Sequence, residues 1–303
     1  IAFVELGQRK VDHNEFENFK DFYTKDWQKF IDYNIVDVEL VSRLEEKMKL
    51  IELAVALAYD AKVNMQDVYY QVRMWDTLIY NFLNKKSIVV PPGKRSDKDE
   101  KYAGAYVKEP IAGRYNWVVS FDLNSLYPHL IMQYNISPET LVEKRHPSAT
   151  VNGLLSQKVD VPEEFCLCAN GAMYRKDIHG FLPEMMKKIY DERVQSKKLM
   201  ILAKQKYQKT PTKELEKSIS KYNNIQMARK IQLNSAYGAI GNQYFRYYNL
   251  TNAEAITLSG QVSIRWIEHK MNTYLNKLLK TEKQDYVIAS DTDSIYLNLG
   301  PLV

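Results

Sequence analysis

The sequence predicts an α+β fold, an antiparallel sheet backed by helices with a two-helix hairpin projecting from it, and three stretches carry that prediction. Residues 286–299, YVIASDTDSIYLNL, read as two short strands joined by a tight acidic turn, because Val, Ile and Tyr favour strands while Ser, Asp and Thr favour turns. Residues 115–130, YNWVVSFDLNSLYPHL, hold a β-favouring apolar run that ends at Asp122 and enters a turn stiffened by Pro128. Glu184 to Gln208 and Lys213 to Ala239 are long helix candidates joined at Thr210-Pro211-Thr212, the order of an antiparallel hairpin.

The 303 residues, 45% of them hydrophobic, suffice for two or more domains with real cores. Cys166 and Cys168 form a lone C-x-C, without the pairs of a zinc site or the count of a disulfide scaffold, which fits a reducing, cytoplasmic setting. No apolar run approaches the roughly 18 residues of a membrane span and no signal-peptide pattern opens the chain, so no membrane partner is expected. The start on Ile-Ala-Phe-Val, without Met, reads as the cut edge of something longer.

Residues 14 to 58 read as mostly helical, with Val41, Leu44, Met48, Ile51 and Val55 repeating at steps of three and four as an apolar stripe. Residues 60 to 83 alternate helix and strand signals, with Trp75 as a core anchor. Asn84 to Lys101, NKKSIVVPPGKRSDKDEK, is the clearest linker, a Pro-Pro-Gly followed by a run of charge. Tyr102-Ala-Gly-Ala105 comes next, where small residues would let backbone approach a nucleic-acid strand; an ordinary loop is the plain alternative. Residues 141 to 183 look like surface loops and short strands, and His129, His146 and His179 show no ligand spacing. Residues 252 to 280 form an amphipathic helix striped by Ile264, Ile267, Met271, Tyr274 and Leu278.

The chemistry lies in the charges. Behind a net charge of +5, residues 187 to 230 hold 13 Lys or Arg against four acids, a block that points to a polyanion; a solvated, salt-laced helix pair is the alternative. Arg193 lies 18 residues before Pro211 and Lys230 lies 19 after it, so a hairpin brings them abreast, with Lys197 and Asn234 one turn from each. Cations converging there make a triphosphate clamp. Lys230, Asn234 and Tyr237 share one helix face, with Gly238 and Gly241 near its end. Asp291 and Asp293 would point to the same face of extended backbone and repel each other unless a proton or a metal sits between them. An isolated Asp-Thr-Asp reads most simply as a polar turn. The second acidic strand end, Asp122 before a turn rich in backbone amides, outweighs that reading, because it suits a divalent ion and a polyphosphate held together.

These stretches together resemble the family B DNA polymerases. SFDLNSLYP is similar to the family's motif A, RKIQLNSAYG to motif B and ASDTDSIY to motif C, in the family's order. Tyr102-Ala-Gly-Ala105, Val107-Lys-Glu-Pro110, Asn135-Ile-Ser-Pro-Glu-Thr140 and Phe245-Arg-Tyr-Tyr248 extend the resemblance over nearly the whole chain, most closely toward the replicative polymerases of T-even-type bacteriophages. The resemblance implies a C-terminal remnant of a 3′–5′ exonuclease domain over 1–60 and a connecting segment and linker over 61–101. The palm would follow in two parts, 102–183 and 241–303, on either side of the fingers, 184–240. It implies a DNA-directed DNA polymerase that transfers dNTPs to a primer 3′-hydroxyl. Asp122 and Asp293 would then hold two Mg²⁺ ions about 3.5–4 Å apart, with the Leu123 carbonyl completing the shell and Mn²⁺ able to substitute. Asp291 belongs to the same cluster but ranks lower for direct coordination. Arg193, Lys197 and Lys230 would bind the phosphates, Lys230 sharing the catalytic load. Ser125 and Leu126 would line the nucleotide site, Tyr127 would stack under the sugar and exclude a 2′-hydroxyl, and Asn234 and Tyr237 would approach the nascent base pair. Tyr102, Gly104 and Gly238 would meet the template. Tyr33 and Asp37 fit the Y-x-x-x-D pattern of the third exonuclease motif, Asp37 for a metal and Tyr33 for the attacking water. Nothing earlier matches the other exonuclease motifs, so the pair reads as a vestige, and Asp37 capping a helix that it begins is the structural alternative.

Two positions depart from the family pattern: His129 stands where Ser usually follows Tyr-Pro, and Ser290 where Gly commonly precedes Asp-Thr-Asp, which bears on primer seating. The family's later palm strands, Lys-rich motif and thumb would lie beyond Val303. Expected partners are therefore primer-template DNA, dNTPs, a polypeptide supplying the thumb, and a sliding clamp with other replisome proteins, in the cytoplasm of an infected bacterium. A binding fragment or split subunit, inactive without the thumb, is the second class of function; intact Asp122, Asp293, Lys230 and Tyr127 favour preserved chemistry.

Overall fold

The structure is a computed structural model that describes residues 1–93 and 102–303; the charged end of the expected linker, residues 94–101, lies outside the described residues. In chain order its elements are α1 (Ala2–Leu6), α2 (Phe19–Lys25), α3 (Trp27–Met48), α4 (Leu50–Ala61), α5 (Gln71–Asn84), β1 (Val107–Lys108), β2 (Val118–Asp122), α6 (Leu126–Gln133), α7 (Val151–Leu155), β3 (Phe165–Leu167), β4 (Met173–Arg175), α8 (Phe181–Lys209), α9 (Lys213–Ile240), α10 (Leu250–Leu279), β5 (Val287–Asp291) and β6 (Ser294–Asn298).

The strands β1, β5, β6 and β2 form one antiparallel sheet in that order. Alternation along β6 turns Ile295 and Leu297 to one face, where α10 covers them with Ile264 and Leu275. On β2, Val119 and Phe121 stand opposite Leu297 and Ile295 and continue that apolar face, yet all five β2 residues are exposed because β2 is the edge strand. The α+β class expected from the sequence is the class this chain adopts.

The long hairpin forms where helix periodicity and its breakers place it. Thr212 caps α9, its hydroxyl accepting the Leu215 N–H at 3.2 Å, and Pro211 stands in the extended turn between the helices. Along their length α8 and α9 pack together, and their bases meet α4, α5, α6 and α10. The main core gathers there around Trp75, Tyr174, Met186, Leu233 and Ile256.

Several expectations are corrected. The helix over 14–58 is broken at Lys49, which takes left-handed backbone (φ 55°) between α3 and α4. Of the expected stripe, Leu44 is half-buried while Val41 and Met48 on α3 and Ile51 and Val55 on α4 are exposed; α4 turns Ala54, Leu57 and Ala61 onto α9 instead. Among the described residues, 60–83 contain no strand. Trp75 is the core anchor expected, its indole N–H donating to Ser235 Oγ at 3.0 Å. Residues 141–183 are not all surface: the β3–β4 hairpin buries Cys168, Ala172 and Tyr174, and burial pushes the Cys168 thiol up to about 12, which leaves it chemically quiet. The stripe of α10 drifts around the helix, so Leu275 is buried while Tyr274 and Leu278 are exposed.

Candidate active site

Strand pairing brings the distant acids together. Asp122 ends β2 opposite Ser294, the first residue of β6. The Leu123 N–H donates to the Asp293 carbonyl at 2.8 Å, locking the β2 end onto the acidic turn. At the tip Thr292 has φ 53°, and its N–H donates to the Tyr106 carbonyl at 2.9 Å, so β1 pins the turn from the other side. Strand alternation ends at this left-handed residue, and of the two acids beside it Asp293 joins Asp122 in the cleft lining. Asp293 is pushed above the ordinary carboxylate range, first by burial and then by the charges of Asp122 and Asp291. Among the described residues no group of three or more His, Cys, Asp or Glu is assembled for a metal. The acidic element is a pair that repels itself, a donor set a divalent cation would neutralise.

Opposite stands the base of the long hairpin. A cleft of about 380 Å³ is lined by Asp122, Asn124, Ser125, Tyr127, Thr292 and Asp293 on one side and Arg193, Lys230, Leu233 and Asn234 on the other, with Leu126 and Pro128 in its floor. Arg193 and Lys230 are abreast as the hairpin count requires. Arg193 Nη1 donates to Ser125 Oγ at 3.2 Å, and Ser125 itself is left-handed (φ 55°). The Ser125 carbonyl lies 2.9 Å from His129 Nδ1, while the His129 ring meets Tyr190 edge-on at 4.6 Å, so His129 braces the turn before α6. Tyr127 packs on Tyr237 (centroids 4.8 Å apart), whose hydroxyl lies 2.9 Å from that of Tyr102. Burial and then the nearby Asp293 charge raise the Tyr127 phenol, keeping it neutral.

Other expected residues sit elsewhere. Lys197 is exposed one turn farther out on α8, and the half-buried Leu123 and Tyr237 adjoin the cleft-lining residues without being among them. Gly238 passes close to α5, where a Cβ would come within 2.6 Å of Gln71 Oε1. Gly104 is exposed to open space, its carbonyl accepting from Gln261 at 2.7 Å. Tyr33 is buried in an aromatic cluster with His13, Phe19 and Phe22, and Asp37 pairs with Lys10 at 2.8 Å. Asp37 does not cap its helix: it is mid-α3, and Asp26 is the cap. Two glycines make close approaches: a Cβ on Gly260, which no sequence pattern above singles out, would lie 3.2 Å from the Tyr127 ring, and one on Gly241, near the end of α9, would lie 2.7 Å from the Tyr102 hydroxyl. A glycine inside a strongly helical stretch, as at Ser259-Gly260, is the signal that points to such a close approach.

Comparison with known proteins gives the family. The family model of DNA polymerase family B matches residues 64–301. The DNA-directed DNA polymerases of Escherichia phage RB69 and Enterobacteria phage T4 are each 36% identical over 91% of this chain, which spans 35% of their length. The family B DNA polymerase structure from Pyrobaculum calidifontis superposes with a TM-score of 0.61 and 25% identity, over 89% of this chain and 32% of that one. The chain therefore spans about a third of the length of the relatives it matches. With acidic strand ends, cationic hairpin and profile all coinciding, the chain belongs to DNA polymerase family B.

Proposed function

We propose that this chain carries the nucleotidyl-transfer site of a DNA-directed DNA polymerase, adding dNTPs to the 3′-hydroxyl of a primer on a DNA template. The observation that carries the reading is the single cleft that sets Asp122 and Asp293 against Arg193, Lys230 and Asn234. Asp122, Asp293 and the Leu123 carbonyl would hold Mg²⁺, with Mn²⁺ as a substitute. When bound, the ions would supply neutralisation of phosphate charge and a lowered pKa for the attacking hydroxyl. Arg193 and Lys230, with Lys197 reaching in from the next turn, orient the triphosphate and take up charge as pyrophosphate leaves. Asn234 would approach the nascent base pair from the cleft wall, with Tyr237 backing Tyr127 beside it, and Tyr102, Gly104 and Gly238 would serve the template side. Residues 1–60 would represent the end of an exonuclease domain, 102–183 and 241–303 the palm, and 184–240 the fingers. A thumb polypeptide, a clamp and the cytoplasm of an infected bacterium complete the setting that the phage relatives suggest; no helix among the described residues is long and apolar enough to cross a membrane. Extension of a labelled primer by one nucleotide, beside an Asp293→Ala control, tests the reading. Extension that survives in the control would overturn it.

Sugar selection follows from Tyr127. Its ring is backed by Tyr237 and Gly260, so it cannot retreat from a 2′-hydroxyl. Tyr127→Ala is expected to raise ribonucleotide incorporation relative to deoxynucleotide by on the order of 10²-fold, read from paired kcat/KM values. An unchanged ratio would remove the steric role. Gly260→Ala is expected to act from behind: helix propensity favours Ala by up to about 1 kcal/mol, yet the new methyl presses Tyr127 toward the sugar. The melting temperature should hold while KM for dNTP rises several-fold, and an unchanged KM would show that the ring has room to move.

A further inference from the structure

The residues immediately before the two cleft cations are joined to each other. Glu192 precedes Arg193 and Arg229 precedes Lys230, and Arg229 Nε lies 2.7 Å from Glu192 Oε2 as an ion pair between α8 and α9. Arg229 Nη1 also donates to Asp60 Oδ2, and to Gln232 Oε1 at 3.0 Å, while Gln232 Nε2 donates to the same Asp60 oxygen at 2.7 Å. Asp60 belongs to neither helix of the hairpin; it lies at the end of α4. Gln232 is fully buried and the Arg229 side chain is 16% exposed, so the centre of the network is withdrawn from water, while the Asp60 and Glu192 carboxylates at its ends are partly exposed. Burial alone would raise the Asp60 carboxyl, but its bonds from Arg229 and Gln232 hold it below the ordinary range, so it is charged when it holds them.

Consecutive residues on a helix are rotated by about 100°. Fixing residues 192 and 229 to each other therefore fixes the directions of 193 and 230. Arg193 needs such help, because among the described residues its Nε is buried without a hydrogen-bond partner and Ser125 holds only its tip.

We propose that Asp60, acting through Arg229 and Glu192, is a positioning residue that sets the rotation of α8 and α9 so that Arg193 and Lys230 both aim at the phosphates of an incoming nucleotide. This rests on the transferase reading above. It makes the end of α4, outside the cleft, a determinant of triphosphate affinity.

The test is equilibrium binding of Mg·dTTP and, separately, of Mg·tripolyphosphate to the 303-residue chain, with a thermal melt for each variant. Asp60→Asn is expected to weaken both ligands by the same factor, about 10-fold. Glu192→Gln, which breaks the rung but spares the Asp60 bonds, should give the same pattern and stands in if Asp60→Asn fails to fold. Arg229→Gln with Asp60→Asn should bind no more weakly than Arg229→Gln alone, since both act through one network. A lower melting temperature with unchanged affinity in the folded protein would make the network structural only and overturn the proposal. So would a loss confined to dTTP, which would place the effect on base or sugar. If the unsubstituted chain binds neither ligand, the transferase reading fails first, a result distinct from variants that match a binding-competent parent.

Discussion

Asp293→Ala is expected to lower single-turnover nucleotide addition by on the order of 10³-fold, the equivalent of about 4 kcal/mol of transition-state charge stabilisation. In the proposed transferase reading Asp293 and Asp122 would hold the cation that balances the phosphate charge, and Arg193 and Lys230 across the cleft would not replace it. The same substitution should leave the fold intact. Asp293 is held above the ordinary carboxylate value by burial, then by Asp122 and Asp291. A carboxyl raised in this way favours folding while protonated and loses that advantage as pH climbs through its folded value, so at neutral pH its charge opposes the fold. Asp293→Asn should therefore melt at or above the parent temperature at pH 7 while being as inactive as Asp293→Ala. Asp291→Ala, outside the cleft lining, should cost less. Retention of about a tenth of the rate by Asp293→Asn would count against a metal-holding role, since it corresponds to only about 1.4 kcal/mol.

Trp75→Ala should destabilise the chain by about 3–5 kcal/mol, the usual cost of emptying a large buried aromatic site. Trp75 is 1% exposed on α5, and its indole N–H donates to Ser235 Oγ, which in turn donates to the Gln232 carbonyl at 3.0 Å. Trp75→Phe separates the two contributions: it keeps most of the apolar contact and removes the donor, so it should cost roughly 1–3 kcal/mol. Urea unfolding of the three proteins measures both numbers. A loss under about 1 kcal/mol for Trp75→Ala would mean that α5 is not a buttress of α9, since such a value belongs to surface substitutions.

What could be read in the sequence was what local chemistry decides. Asp122 and Asp293 stood out because strand formers ran straight into turn formers on both sides of them, and the hairpin because Thr210-Pro211-Thr212 interrupts two helical runs. Arg193 and Lys230 followed from counting residues along those helices. The illegible part depends on neighbours. Whether Val41 or Leu57 is buried is decided by where α9 lies and by the left-handed turn at Lys49, neither of which leaves a mark in a hydrophobic stripe. The apolar residues of β2 marked it as a strand, but its exposure follows from being the edge strand, which is a property of the sheet. The hydroxyl contact between Tyr102 and Tyr237 joins segments 135 residues apart, and no local pattern foretells it.

The pairing of β2 with β6 has a consequence for how the chain tolerates change. Everything from Leu123 to Asp293, the whole α8–α9 hairpin included, is one excursion closed by that pairing. The entropy of closing a loop grows only with the logarithm of its length, about 0.6 kcal/mol for each doubling. Adding or deleting a few helical turns at the hairpin tip therefore barely alters the closure, and leaves Asp122 opposite Ser294. Insertions should accumulate at Thr210-Pro211-Thr212, while a single-residue slip in β2 or β6 would turn each of its side chains to the opposite face. The length of the arm is free to drift in evolution, and the register of two short strands is not.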